Sequence, residues 1–340
     1  MATKKRPTQA DVARSANVSQ AMVSYVVNDN HNVTIPDDTR QRILNAMDIL
    51  GYVPNINARR LRSNKTKTIA GVIPDIMNPF YPAFERGIQD YTDQVGYDLI
   101  IYNTDGNAEK ERKCLVSLLQ GRVDGVIGVF FHLTARDLFP LLEQNIAVVR
   151  LESTPKDAGL QPLDNLFVDN VAAAKEGVSY LIQHGHARIA MITSHDGPAR
   201  YRLAGYQQAM ALHGVSIPEG FIEIGEFNEQ GGYEAMQRLI GLGQQRPTAV
   251  FCANDYMAMG AMVAIREANL KIPQDFAILG FDDIETAKLT SPSLTTLSQS
   301  QRELGCAAGR LLFERIDGTA PTQGRSVQMP HLLVVRHSTG

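Results

Sequence analysis

The chain has 340 residues, 44% hydrophobic and 20% charged, which excludes wholesale disorder or a fibrous protein and leaves room for two or three domains. No run approaches the roughly 18 consecutive apolar residues of a membrane helix, and no apolar secretory segment follows the basic start. Cys114, Cys252 and Cys306 are scattered without disulfide or zinc spacing, so a reduced protein of the cytoplasm, away from membranes, is expected. The net charge of -3 hides a division: residues 1–67 carry eleven Lys and Arg against five Asp, and the other 273 residues carry 22 basic and 31 acidic side chains. A basic head suited to a polyanion precedes an acidic body.

In chain order, Thr8 is a candidate N-cap for a short helix over 8–16 with Val12, Ala13 and Ala16 on one face. Asn17 tolerates the left-handed turn that follows, Val18 plugs it, and Ser19 caps a second helix over 20–27. After a polar loop, 36–50 opens with Pro and two Asp and places Ile43, Leu44, Met47 and Leu50 on one face. Three short helices around one apolar centre make a helix-turn-helix module, whose second helix enters the major groove of DNA. Gln20, Ala21 and Tyr25 would face base edges, with Thr8, Ser19, Ser24 and Asn28 as donors to phosphate. The basic stretch 54–67 is too short to hold a helix unaided and reads as a segment ordered by its partner, with Arg59, Arg60 and Arg62 available to phosphates.

From Thr68 the chain alternates apolar runs with amphipathic stretches. Strands are expected at 69–73, 99–102, 125–129, 147–151, 188–192, 249–251 and 276–280. The intervening helices fall at 81–94, 108–120, 135–144, 171–184, 200–213, 232–241 and 255–268. A last helix over 301–316 returns the chain to the first lobe, before a strand-like run at 332–335. Strand-then-helix repetition means parallel sheets covered on both faces, with ligands at the carboxyl ends of the strands.

The head carries Asp11-Val12-Ala13, Asn17-Val18-Ser19, Val23-Ser24, Val26-Val27-Asn28, Thr39-Arg40, Gly51-Tyr52-Val53-Pro54-Asn55 and Ala58-Arg59-Arg60-Leu61. This ordered series resembles the lactose-repressor (LacI/GalR) family. Asn17 stands where the family commonly has Gly, Tyr25 where many members have a base-reading Arg, and the loop 28–39 is about two residues longer than the family pattern. The resemblance implies a hinge helix within 54–67, with Leu61 as the wedge that opens a minor-groove step and Asn57 and Ala58 beside it. The body resembles the family too, through Asn78-Pro79-Phe80-Tyr81, Gln120-Gly121-Arg122-Val123-Asp124-Gly125, Arg202-Leu203-Ala204-Gly205-Tyr206, Ala253-Asn254-Asp255, Gly280-Phe281-Asp282-Asp283 and Leu294-Thr295-Thr296-Leu297.

What the resemblance implies is an α/β chain: an all-α helix-turn-helix head at 1–53, a hinge at 54–67, and a periplasmic-binding-protein-like body at 68–340. The body's two doubly wound parallel-sheet lobes would be 68–167 plus 299–328 and 168–298 plus 329–340. It implies an effector cleft with Phe80 and Tyr81 as aromatic floor, Glu152 and Arg202 as polar clamps, and Phe227 as a stacking wall. Asn254, Asp282 and Gln299 would be the hydroxyl partners. That set suits a sugar, whose C–H faces stack on aromatic rings while its hydroxyls meet planar bidentate groups. Arg150 shares strand parity with Glu152, and with Arg200 it could meet an anionic group or form an ion pair at the domain edge. Asp255 reads as a helix cap. His184 and His186 read as a C-terminal cap and a loop residue.

No phosphate loop, HExxH or GxSxG is present, so no catalytic role, cofactor or metal is expected. The reading is a transcriptional regulator, as a repressor, acting as a homodimer on a palindromic operator under a sugar-like effector. The rival, a periplasmic sugar-binding protein, explains the body but needs a signal peptide and has no use for residues 1–67.

Overall fold

A computed structural model describes residues 7–27, 33–53, 65–156, 161–195 and 197–340. The chain divides into two compact units, 1–66 and 67–340.

In the first unit three helices, α1 (Gln9–Ala16), α2 (Gln20–Val27) and α3 (Asp37–Leu50), enclose Val12, Val23, Val26, Ile43 and Ala46. Thr8 and Asp11 form a reciprocal capping box, and Asn17 ends α1 in the left-handed conformation at φ 53°. Ser19 Oγ accepts the Met22 N–H at 3.2 Å, which caps α2. One expectation fails: Leu44 is 43% exposed, and Ala46 takes the inward place beside Ile43. The 3.6-residue spacing of α3 gives positions 43 and 46 the inner face, and 44 lies a full 100° round from 43.

The second unit holds two six-stranded sheets. The first has the order β11-β5-β4-β3-β1-β2, from β1 (Thr68–Ile73), β2 (Asp98–Asn103), β3 (Gly125–Gly128), β4 (Ala147–Glu152), β5 (Leu163–Val168) and β11 (Ser326–Met329). All its strand pairs are parallel. Between them run α4 (Phe80–Val95), α5 (Ala108–Leu118) and α6 (Phe139–Glu143). The second sheet has the order β12-β10-β9-β8-β6-β7, from β6 (Ile189–Thr193), β7 (Ile222–Ile224), β8 (Ala249–Cys252), β9 (Ala277–Asp282), β10 (Thr295–Ser298) and β12 (Leu332–Val334). Here α7 (Asn170–Gln183), α8 (Ala199–Leu212), α9 (Glu229–Gly241) and α10 (Asp255–Glu267) connect the strands, and only β12 runs antiparallel to its neighbour. No described helix is long and apolar enough to cross a membrane.

The chain crosses between the lobes three times: after β5, between β10 and α11 (Gln301–Ile316), and between β11 and β12. The middle crossing is held by α11 lying against α4, so close that a Cβ on Gly87 would fall 2.0 Å from the Arg302 carbonyl oxygen. At the far end of α11 the buried Asp164 carboxylate accepts from Arg315 at 2.6 Å and from Arg325 at 2.7 Å. Burial pushes that carboxyl up, but these guanidinium bonds outweigh it and hold it below its ordinary range.

Four strands were not expected, β5, β7, β10 and β11. β5 carries the buried polar pair Asp164 and Asn165, and the others are three- or four-residue pieces with little periodicity to read. The helix expected at 135–144 is broken into a 3₁₀ turn, Arg136–Leu138, and the short α6. Pro140 in its first turn has no N–H to continue the ladder from before it.

Candidate functional site

The carboxyl ends of β1, β3 and β4 in the first lobe face those of β6, β8 and β9 in the second across a cavity of about 590 Å³. Phe80, Tyr81, Glu152, Arg202, Phe227, Asn254, Asp282 and Gln299 all line it.

The first-lobe side begins with Asn78, whose side chain accepts the Phe80 N–H at 3.1 Å and fixes the entry to α4. The Phe80 and Tyr81 rings then meet edge to face, centroids 5.1 Å apart. Burial, with Asp282 nearby, pushes the Tyr81 phenol well above its ordinary range, so it stays a neutral hydroxyl.

The second-lobe side is organised by Arg202, in the first turn of α8 and 4% exposed. Its Nε donates to Asn170 Oδ1 at 2.7 Å, Nη1 donates to the Ala253 carbonyl, and Nη2 lies 3.3 Å from Asp282 Oδ1. The guanidinium carbon also sits 3.7 Å from the Phe281 ring centroid. Asp282 accepts Gln299 Nε2 at 2.7 Å, and its own carbonyl accepts Gln301. Burial pushes the Asp282 carboxyl up to about 6 against the pull of Arg202. The backbone at Asp282 and Asp283 has φ 124° and 61°, a strained pair that turns the chain at the end of β9. Gln299 and Gln301 stand on the middle crossing, so the charge array is tied to a connection between the lobes.

Several expected roles change. Asn254 is the N-cap of α10, accepting the Met257 N–H at 2.7 Å, and its Nδ2 points to the Phe227 carbonyl at 3.4 Å. Asp255, expected as the cap, is instead wholly buried and accepts from Ile284 N at 2.9 Å and Thr296 Oγ1 at 2.5 Å. Burial and the neighbouring Asp282 raise its carboxyl to about 7. Glu152 lines the cavity but is paired with Arg150 and lies 3.8 Å from Lys156. Arg150 does not line the cavity, and the ion-pair reading describes it. Arg200 lines it and donates to Tyr201 Oη at 2.7 Å. His184 caps α7, with Nδ1 2.8 Å from the Tyr180 carbonyl, and His186 bonds Thr248 at 3.0 Å.

Sequence reasoning missed Asn170, Phe131, His132, His195 and Tyr201, all on the cavity wall. Their signal was position alone, each standing in a loop or first helical turn just past a strand. Against burial, Lys156 and Arg200 hold the Tyr201 phenol below its ordinary range.

In the head, Gln20 and Ala21 are exposed on the first turn of α2, with Tyr25 half-buried one turn on. Ser24 is only 9% exposed, so it sits in the head's interior, unlike the surface donor expected. Thr8 is also committed, its hydroxyl donating to Asp11 at 2.7 Å within the capping box. Asn28, Asn57, Ala58, Leu61 and Arg62 lie outside the described residues.

Residues 8–55 match the family described as bacterial regulatory proteins, lacI family, and residues 178–339 match a periplasmic binding protein-like domain. The chain is 37% identical to the ribose operon repressor of Escherichia coli (strain K12), over 97% of this chain and 99% of that one. It is 35% identical to the HTH-type transcriptional regulator DegA of Bacillus subtilis (strain 168), over 98% of each. Among solved structures, the lac repressor dimer bound to operator and the anti-inducer ONPF superposes with a TM-score of 0.85 at 27% identity, over 98% of this chain and 99% of that one. A LacI family regulator from Enterococcus faecium with bound ribose superposes with a TM-score of 0.71 at 27% identity, over 80% of this chain and 98% of that one.

Proposed function

The chain belongs to the lacI family of bacterial regulatory proteins, and from that premise we propose that it is a transcriptional repressor whose hold on a palindromic operator is set by a sugar-like effector in the cleft between its lobes. The observation that carries this reading is the joining, in one chain, of a helix-turn-helix head to a cavity where aromatic rings face the Arg202, Asp282 and Gln299 array. Flat apolar rings beside fixed planar donors and acceptors suit a polyol with C–H faces and equatorial hydroxyls. Phe80 and Tyr81 would stack on it, Arg202, Asp282, Asn254 Nδ2 and Gln299 would meet its hydroxyls, and Glu152 and Phe227 would close the sides. The periplasmic alternative accounts for the lobes and leaves the head without a purpose. The relatives are regulators, and the protein's place of work is the cytoplasm, where the chromosome is.

Gln20, Ala21 and Tyr25 are proposed to read base edges and Ser19 and Arg62 to reach phosphate, with Leu61 wedged into the minor groove beside Asn57 and Ala58. Two copies are required to read a palindrome. Each copy leaves Ile100 and Ile101 on edge strand β2 43% and 42% exposed, and Leu289 and Leu332 in the other lobe 72% and 65% exposed, apolar surface that a dimer would cover. Sedimentation should therefore give twice the chain mass.

The deciding experiment is selection of bound sequences from a genomic DNA pool. A recovered palindrome, bound with an affinity that falls steeply with salt as phosphates release counterions, supports the reading; uniform binding to all fragments refutes it. Leu61→Ala should weaken operator binding by about tenfold or more, since an inserted apolar side chain offsets base unstacking of a few kcal/mol. Effector affinity should not change, and an unaltered operator isotherm would count against the wedge.

A further inference from the structure

The cleft is bridged by a contact that the effector reading does not use. Phe131 lies in the loop after β3, on the first lobe, and Gly197 lies in the loop before α8, on the second. A Cβ placed on Gly197 would fall 2.5 Å from Phe131 Cζ, and one placed on Gly106 of the first lobe would fall 3.0 Å from Phe131 Cδ2. The phenyl ring is thus wedged between two Cα positions, one from each lobe, at a separation that only glycine permits. Both glycines also stand at φ +59°, where an L side chain is disfavoured.

The ring is carried on a braced loop. Glu111 of α5, wholly buried, accepts the N–H groups of Phe131 at 2.8 Å, His132 at 3.1 Å and Leu133 at 2.8 Å. His132 Nε2 lies 2.8 Å from the Gly106 carbonyl, which fixes the same loop from the other side. A carboxylate holding three successive backbone amides costs its own solvation, and what it secures here is the direction of one aromatic side chain across the cleft.

We infer that Phe131 is the gate of the cleft, a positioning residue that latches one lobe to the other through Gly197 and limits how far a ligand can extend from Arg202 toward the mouth. The latch itself is a contact between lobes and stands without any ligand; the size limit rests on the proposed effector site. On this reading a single hydroxylated ring would be accommodated beneath the phenyl, whereas a second sugar ring joined to it would meet the phenyl edge.

The test is amide hydrogen exchange on the full-length, ligand-free protein and its Phe131→Ala, Phe131→Tyr and Gly197→Val variants. Phe131→Ala should speed exchange about tenfold or more at the amides of Gly197 and residues 199–203, across the cleft from the substitution, with the strands of both sheets unchanged. Gly197→Val should do the same at residues 131–133, and Phe131→Tyr should keep the wild-type rates. Unchanged exchange at Gly197 and residues 199–203 in Phe131→Ala, or at 131–133 in Gly197→Val, overturns the latch.

A second arm titrates D-ribose and cellobiose into wild type and Phe131→Ala by calorimetry. Loss of the ring should shift the ratio of the two affinities toward cellobiose by about tenfold, and an unmoved ratio overturns the size limit. If neither sugar binds either protein, the sugar reading of the cleft is what fails, and the exchange arm still decides the latch.

Discussion

Replacing Arg202 with Met should abolish the effector response while leaving operator binding by the head intact. The guanidinium is 4% exposed and spends its donors on Asn170, Ala253 and Asp282, so it sets the geometry of those polar groups at the second-lobe side of the cavity. Without it the effector loses one charged partner directly and the fixed orientation of two others, and an affinity loss of at least a hundredfold is expected. Stability should fall as well. Removing one member of a buried pair leaves the other charge uncompensated, which costs about 3–5 kcal/mol. Burial already pushes the Asp282 carboxyl up to about 6, and with Arg202 gone it should take up a proton at higher pH still. The double variant Arg202→Met, Asp282→Asn should therefore recover part of the lost stability without recovering effector binding, a separation that urea unfolding and calorimetric titration would read independently. A normal effector titration in either variant would remove Arg202 from the site.

The difference between what was legible and what was not follows from the range of the interactions. The capping box at Thr8 and Asp11 and the left-handed Asn17 are local, so their residue types give the head's helices directly. The cleft residues came from a resemblance carried by motifs past the strands, and the fold brings these positions to one cavity. The partners were hidden. The Asn254 cap on Met257 is local as well, but nothing along the chain says that Asp255 would be buried under Thr296, because that bond depends on how β10 lies over α10. The Phe131 and Gly197 contact is less readable still: 66 residues separate the two, and the sequence gives only a glycine in one loop and a phenylalanine in another.

A pH dependence should arise from a group no motif singled out. Glu85 of α4 is 3% exposed, and neither carboxylate oxygen has a hydrogen-bond partner among the described residues. It lies against β1 where Gly71 provides the room, since a Cβ there would fall 2.3 Å from Glu85 Oε2. Burial raises its carboxyl from the ordinary 4.5 to about 8. Well below pH 4.5 this carboxyl is protonated in the folded and the unfolded chain alike, and the group makes little difference to folding. As pH rises from there to about 8, the unfolded chain ionises while the folded one keeps its proton, so stability is lost progressively. At roughly 1.4 kcal/mol per pH unit, the loss complete above pH 8 is on the order of 3–5 kcal/mol. Glu85→Gln should match the wild type near pH 4.5 to within about 1 kcal/mol and exceed it by a margin that widens steadily toward pH 8. Urea midpoints measured across that range decide the matter: parallel profiles for the two proteins would mean that Glu85 ionises in the folded chain as it does in water, and that the pocket beside Gly71 exerts no hold on its proton.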